Sequence, residues 1–219
     1  MTITELTRES AADSTNAYSA YSFPIPRQKD SRLDLVWKKD LGLWFAELTV
    51  RGITALPSTP FSNFSTLAGV SAFSSDLNQD GVEDFFITSF SGGCGLASGY
   101  CNVAFILSAG DIYTLTTIET LFPDESNFIL INKKPTFVHT SFHSVAQCTD
   151  GKAHNFWVYN LLSFDKNEIK VNNSIHPAFP KTIWYTFKPN HAETTILTDE
   201  QKLELREASL QGIYWKKKD

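Results

Sequence analysis

No apolar run in this 219-residue chain approaches the roughly 18–20 residues that cross a bilayer, so no membrane insertion is expected. An excess of basic charge is also missing. The net charge is −5, which argues against the basic face by which nucleic acid is normally held. The one basic run, Lys216-Lys217-Lys218, reads as a solvated terminus. Cysteine occurs only three times, and an odd count leaves at least one thiol unpaired within the chain. Residues 1–22 are polar and lack the apolar core of a secretory signal. The expected setting is therefore either the cytoplasm or, for a mature form, the periplasm or the cell exterior. Nothing in the composition speaks to oligomeric state.

Aromatic residues, by contrast, are plentiful: 17 Phe, seven Tyr and five Trp beside a single Met. Together with frequent β-branched residues they favour strands over a helical bundle. Turn signals recur about every ten residues, as in antiparallel sheets. The fold expected is mainly β: one curved antiparallel sheet or a sandwich, with one C-terminal helix. Strands are predicted at 33–37, 43–50, 84–90, 103–108, 112–118, 128–131, 136–145, 154–164, 168–171 and 184–187. Pro57 to Ser65 reads as loop, leading to a helical turn near 66–70. Thr198, with Gln201 three residues on, caps the expected helix, which Gly212 ends. Residues 1–30 read as a flexible arm or a strap on the body, and 31–219 as a single domain.

The stretch Asp76 to Asp84, DLNQDGVED, organises the functional reading. Asp76, Asn78, Asp80 and Asp84 place oxygen at positions 1, 3, 5 and 9, Gly81 stands at position 6, and Val82 offers its carbonyl at position 7. Alternate oxygens around a glycine turn are what Ca²⁺ needs in place of its water. Three carboxylates drawn this close repel one another unless a cation lies among them. The chain then enters an apolar β-run, and Ile87 stands where an EF-hand needs a bidentate glutamate, so the loop is not an EF-hand.

The pattern Asp-x-Asn-x-Asp-Gly-x-x-Asp running into a strand resembles the calcium loop of FG-GAP/VCBS-type repeats, as in integrin-like propellers. With Gly93-Cys94-Gly95, Tyr100-Cys101 and the apolar run 103–107, residues 76–107 are also similar to exported bacterial proteins that follow an acidic loop and strand with a Cys-Gly-rich-Cys turn. The resemblance implies a structural calcium at the loop. It does not imply a propeller, because the pattern occurs once and a propeller needs about four or more blades. Gly92, Gly93, Gly95 and Gly99 make a bridge between Cys94 and Cys101 geometrically easy and leave Cys148 over. Such a bridge, and a site that fills where calcium is abundant, favour the periplasm or the exterior.

Two further constellations were weighed. His139, His143, His154 and Cys148 are zinc-ligand types, but positions i and i+4 on a strand lie about 13 Å apart, too far for one ion. Cys148 with His143 and His154 is the alternative, a hydrolase site, although no family signature surrounds it. The glycine-rich segment with Gly93, Gly95, Ser98 and Tyr100 is the expected surface for a partner protein, since glycines let another backbone approach. The reading is a non-enzymatic, calcium-binding protein that acts by binding another protein. By analogy with small bacterial proteins of this build, it extends to an inhibitor or immunity protein against a toxin or cell-wall enzyme.

Overall fold

The computed structural model describes residues 1–11, 20–26, 28–62, 70–90, 99–110, 112–121, 123–147 and 153–185. The strands in chain order are β1 (Thr4–Glu5), β2 (Glu9–Ala11), β3 (Ala20–Pro24), β4 (Arg32–Lys38) and β5 (Leu43–Val50). Then come β6 (Ile53–Ser62), β7 (Ser71–Ser75), β8 (Asp84–Phe90), β9 (Tyr100–Ala109) and β10 (Ile112–Leu121). The last are β11 (Phe128–Ile131), β12 (Lys134–Gln147), β13 (Ala153–Asp165), β14 (Glu168–Val171) and β15 (Lys181–Tyr185). They form three antiparallel sheets, so the chain is mainly β as its composition predicts. The first sheet is ordered β1-β7-β8-β9-β10 and the second β2-β3-β4-β5-β6. The third runs β11-β12-β13-β14, with β15 also on β13.

Two compact units divide the chain: Met1–Phe137 with Ser163–Lys170, and Val138–Leu162 with Val171–Asp219. In the first unit the first two sheets share one core. Phe85, Ile87, Ala104 and Ile106 from one meet Leu33, Leu35, Trp44, Ala46 and Leu48 from the other. The opposite face of the first sheet is buried as well. Phe86 and Phe105 lie against Phe128, Phe137 and Phe164 of the third sheet, with ring centroids 4.8–6.4 Å apart. A sheet covered on both faces needs apolar side chains at successive positions, not alternate ones. Val103-Ala104-Phe105-Ile106-Leu107 meets that need, and all five are fully buried.

In the second unit β13 pairs with β15 from Asn155↔Tyr185 to Tyr159↔Lys181. Phe142 packs on Trp157 at 4.9 Å. Asn173 closes the chain's return: its Oδ1 accepts from Leu161 N–H at 2.8 Å and its amide donates to Asn160 at 2.9 Å.

Three expectations need correction. The described parts of residues 1–30 are not a free arm but lie on the body. β1 pairs with β7, β2 with β3 and β3 with β4, while Leu6, Phe23 and Ile25 are buried in the core. Apolar anchors spaced along a Ser/Thr-rich stretch suffice to hold it. Pro57 and Pro60 do not make a loop either, because they lie in β6, an edge strand whose register with β5 shifts at irregularities. Proline is tolerated there, where no ladder hydrogen bond is lost. Finally, residues 31–219 are not one unit but contribute to two. The predicted helix from Thr198 to Gly212 and the turn at 66–69 lie outside the described residues.

Phe105 sits at the centre of the rings between the first and third sheets, with no exposure. Phe105→Ala is expected to cost about 3–5 kcal/mol, as for large-to-small changes in packed cores. Urea unfolding measures it, with the transition midpoint falling.

Candidate functional site: the acidic loop

β7 and β8 are adjacent antiparallel strands, from Ser71↔Thr88 to Ser75↔Asp84, and residues 76–83 join them. The loop reverses through Gln79 and Gly81, at φ 64° and 86°. Only glycine enters the second region without a steric cost. The nine-residue acidic pattern is therefore the connection of a hairpin, which explains why its last aspartate is already a strand residue.

Asp84 is completely buried. Its Oδ2 accepts from the backbone N–H of Leu77 at 2.8 Å and of Asn78 at 3.1 Å. Its Oδ1 accepts from Ser108 N–H at 2.7 Å and lies 2.9 Å from Ser108 Oγ. Burial pushes this carboxyl above its ordinary value, outweighing the donors from Ser108, Asn78 and Leu77 that lower it. Asp80 is exposed: Oδ1 accepts from Val82 N–H at 2.8 Å, and Oδ2 lies 2.9 Å from the same Ser108 Oγ. Asp76 Oδ2 accepts from Gly81 N–H at 3.1 Å, whereas its Oδ1 is buried with no hydrogen-bond partner.

Donors therefore fall short of acceptors. Ser108 has one hydroxyl proton for two carboxylates, and one oxygen of Asp76 has none. No lysine or arginine among the described residues forms an ion pair with Asp76, Asp80 or Asp84. The three carboxylates are nonetheless not gathered into a ready-made nest. Among the described residues no group of three His, Cys, Asp or Glu side chains is arranged to hold a metal ion. A cation is not the only relief for their repulsion: backbone N–H groups, turned inward by the hairpin, supply much of it.

The neutral side chains of the loop reach outward to other turns. Asn78 Nδ2 donates to Ser108 O at 2.7 Å and to Lys166 O at 3.0 Å. Gln79 Nε2 donates to Lys133 O at 2.9 Å, and Gln28 Nε2 donates to Glu83 at 2.8 Å. Those partners lie in or beside the β9–β10, β13–β14, β11–β12 and β3–β4 connections. The loop is a clasp that holds turns from all three sheets, all within the first unit. Val82 packs against the core shared by the first two sheets. Beside the clasp lies a depression of about 440 Å³ lined by Ser75, Asp76, Gln79, Leu130 and Lys133 among others.

Of the remaining predicted residues, Tyr100 and Cys101 begin β9, half-buried and opposite Leu121 and Thr120. Gly93, Cys94, Gly95, Ser98 and Cys148 lie outside the described residues, so neither the Cys94–Cys101 bridge nor the thiol site is described. His143 and His154 are placed on β12 and β13 by their backbones alone. Sequence reasoning missed Ser108, the residue shared by two carboxylates. Its only signal is a hydroxyl that ends an unbroken apolar run.

Known proteins add nothing to this geometry. No family model, no curated protein and no solved structure matches the chain.

Two outcomes follow from the geometry. Unfolded, Asp84 loses its proton around its ordinary 3.8, while the native carboxyl holds it to higher pH. Between those points the native state binds more protons, so this group's contribution to stability falls as pH rises through the window. A ¹³C titration of the Asp84 carboxyl is expected to show a midpoint above 3.8. Ser108→Ala removes the shared hydroxyl and is expected to cost about 1–3 kcal/mol in chemical denaturation, the range for stranding a buried acceptor.

Proposed function

We infer that the chain is a non-enzymatic β-protein whose 76–84 loop takes up Ca²⁺ as a structural ion and which acts by binding another protein. The observation that carries the first half is the buried Asp76 Oδ1 with no donor, in a loop whose three carboxylates have no cationic partner among the described residues. An oxygen in that state is poorly placed for water and well suited to a small hard cation. Asp76, Asn78, Asp80 and the Val82 carbonyl are the residues that would hold the ion. Asp84, whose oxygens already accept from Leu77, Asn78 and Ser108, would reach it only by giving up one of those donors. When bound, calcium supplies positive charge to a negative loop and no reaction chemistry.

The donors already present set how much the ion contributes. Leu77, Asn78, Gly81, Val82 and Ser108 N–H groups shape the loop without it. The ion then tightens a folded clasp and does not create one. A loop of this kind works where calcium is plentiful, which favours the periplasm or the cell exterior. The partner would meet Gly93, Gly95 and Ser98, in the segment 91–99 that joins β8 to β9, and Tyr100 at the start of β9. An inhibitor or immunity protein directed at a toxin or cell-wall enzyme is the class this build suggests.

Thermal unfolding of the whole chain in calcium and in EGTA tests the ion. At a hundredfold excess over Kd, one site adds about 2.7 kcal/mol. For a chain of this size that is about 5–10 °C in Tm. Asp76→Ala is expected to abolish the calcium-dependent shift. A wild-type transition that calcium and chelator leave unmoved would remove the reading.

A further inference from the structure

The faces that the first two sheets turn toward each other are apolar along most of their length and then change character. Antiparallel register places Phe85, Ile106 and Leu115 in one row across β8, β9 and β10. The next row is Ile87, Ala104 and Thr117, and the next is Ser89, Asn102 and Glu119. These rows share a face because paired residues in an antiparallel sheet point the same way. Within two rows the lining passes from hydrocarbon to hydroxyl, amide and carboxylate. The second sheet changes at the same level, where Ser62 stands opposite Trp44.

Ser62, Ser89 and Asn102 are buried, and they form a small network. Ser89 Oγ donates to Ser62 Oγ at 3.3 Å, and Asn102 Nδ2 donates to the same oxygen at 3.3 Å. Trp44, whose cross-strand neighbour is Ser62, keeps a fully buried indole N–H with no partner. Inward positions filled by polar groups cost stability relative to the aliphatic residues one row away. The rows above show that aliphatic side chains fit this interface. The change of chemistry is therefore not imposed by the sheet.

Above the network the sheets part into an open groove of about 310 Å³. Ser62, Asn102, Thr117 and Glu119 give it donors and acceptors, and Leu43 and Phe61 give it an apolar side. We propose that this groove binds a neutral sugar unit. Its volume is near the lower bound of small-ligand sites, about 300 Å³. A pyranose brings hydroxyls that both donate and accept, which suits an amide, two hydroxyls and a carboxylate together, and its C–H face suits the apolar side. Among the described residues no basic side chain lines the groove, and the Glu119 carboxylate suits a neutral ligand better than an anion. The site lies at the far end of β8 from Asp84, about 17–20 Å along the strand, and does not depend on the calcium reading.

Amide-resolved NMR titration of the whole chain tests the proposal, using the methyl glycosides of glucose, galactose, mannose and N-acetylglucosamine in turn, each to about 50 mM, a range that detects millimolar Kd. At least one glycoside is expected to shift the amides of Ser62, Asn102, Thr117 and Glu119 together with the Trp44 indole. Asn102→Ala is expected to weaken that binding about tenfold, the loss of one well-made hydrogen bond. If that variant does not fold, Thr117→Val and Glu119→Gln, at exposed positions, are expected each to weaken it several-fold. The absence of shifts with all four glycosides overturns the proposal. So do shifts centred elsewhere, affinity unchanged in the variants, or n-butylamine moving these amides where the glycosides do not.

Discussion

A carboxylate shut away from water, and held there by donors from its own loop and from the end of β9, is the constraint on which this end of the molecule depends. Burying an ionised group is costly unless its lone pairs are met. Around Asp84 they are met by the N–H groups of Leu77, Asn78 and Ser108 and by the Ser108 hydroxyl. An amide of the same size would turn its own N–H toward one of these donors, so only a carboxylate satisfies the set. Asp84 thereby ties the loop back to β9, and the loop's other side chains tie it to three further connections. The clasp exists because one buried charge has fixed the loop's path.

The first sheet is the shared wall of the first unit, and its two faces solve different problems. One packs on the second sheet through aliphatic residues together with Phe85 and Trp44; the other meets the third through the rings of Phe86 and Phe105. Rings suit a contact made by a few residues at strand ends, because each covers a large area from a single backbone position. Phe128, Phe137 and Phe164 come from three different strands, yet all three reach Phe105.

Most of the strands could be read from the chain because their residues carry local signals. The hairpin of β4 and β5 alternates cleanly, and the 85–87 and 103–107 runs show the consecutive apolar residues of strands buried on both faces. β7 escaped notice: Ser71-Ala72-Phe73-Ser74-Ser75 holds only two apolar residues, and it is a strand because β1 and β8 flank it. The N-terminal strands escaped for the same reason, since pairing partners far along the chain, and not propensity, hold them. At the clasp, the positions of Asp76, Asn78, Asp80 and Asp84 were legible from spacing. Ser108, 24 residues beyond Asp84, was not, because contact between a loop and a later hairpin leaves no periodic trace. Sequence also overstated the repulsion among the carboxylates, because it shows side chains and hides the N–H groups that a tight turn points inward.

The same strands that anchor the clasp carry polar residues into the interface at their other end, and the two features bear on each other. Inward-facing Ser62, Ser89 and Asn102 stand there in place of hydrocarbon, so burial stabilises that end of the interface less than the rows beneath it. The two sheets thus present a carboxylate with its donors at one end and a hydroxyl and amide network at the other. Strands β8 and β9 span both regions, and their central rows are fully buried hydrocarbon. Such a segment transmits position without deforming, because close-packed interiors have little free volume to absorb a shift. The floor of the groove is therefore set by the buried rows beneath it.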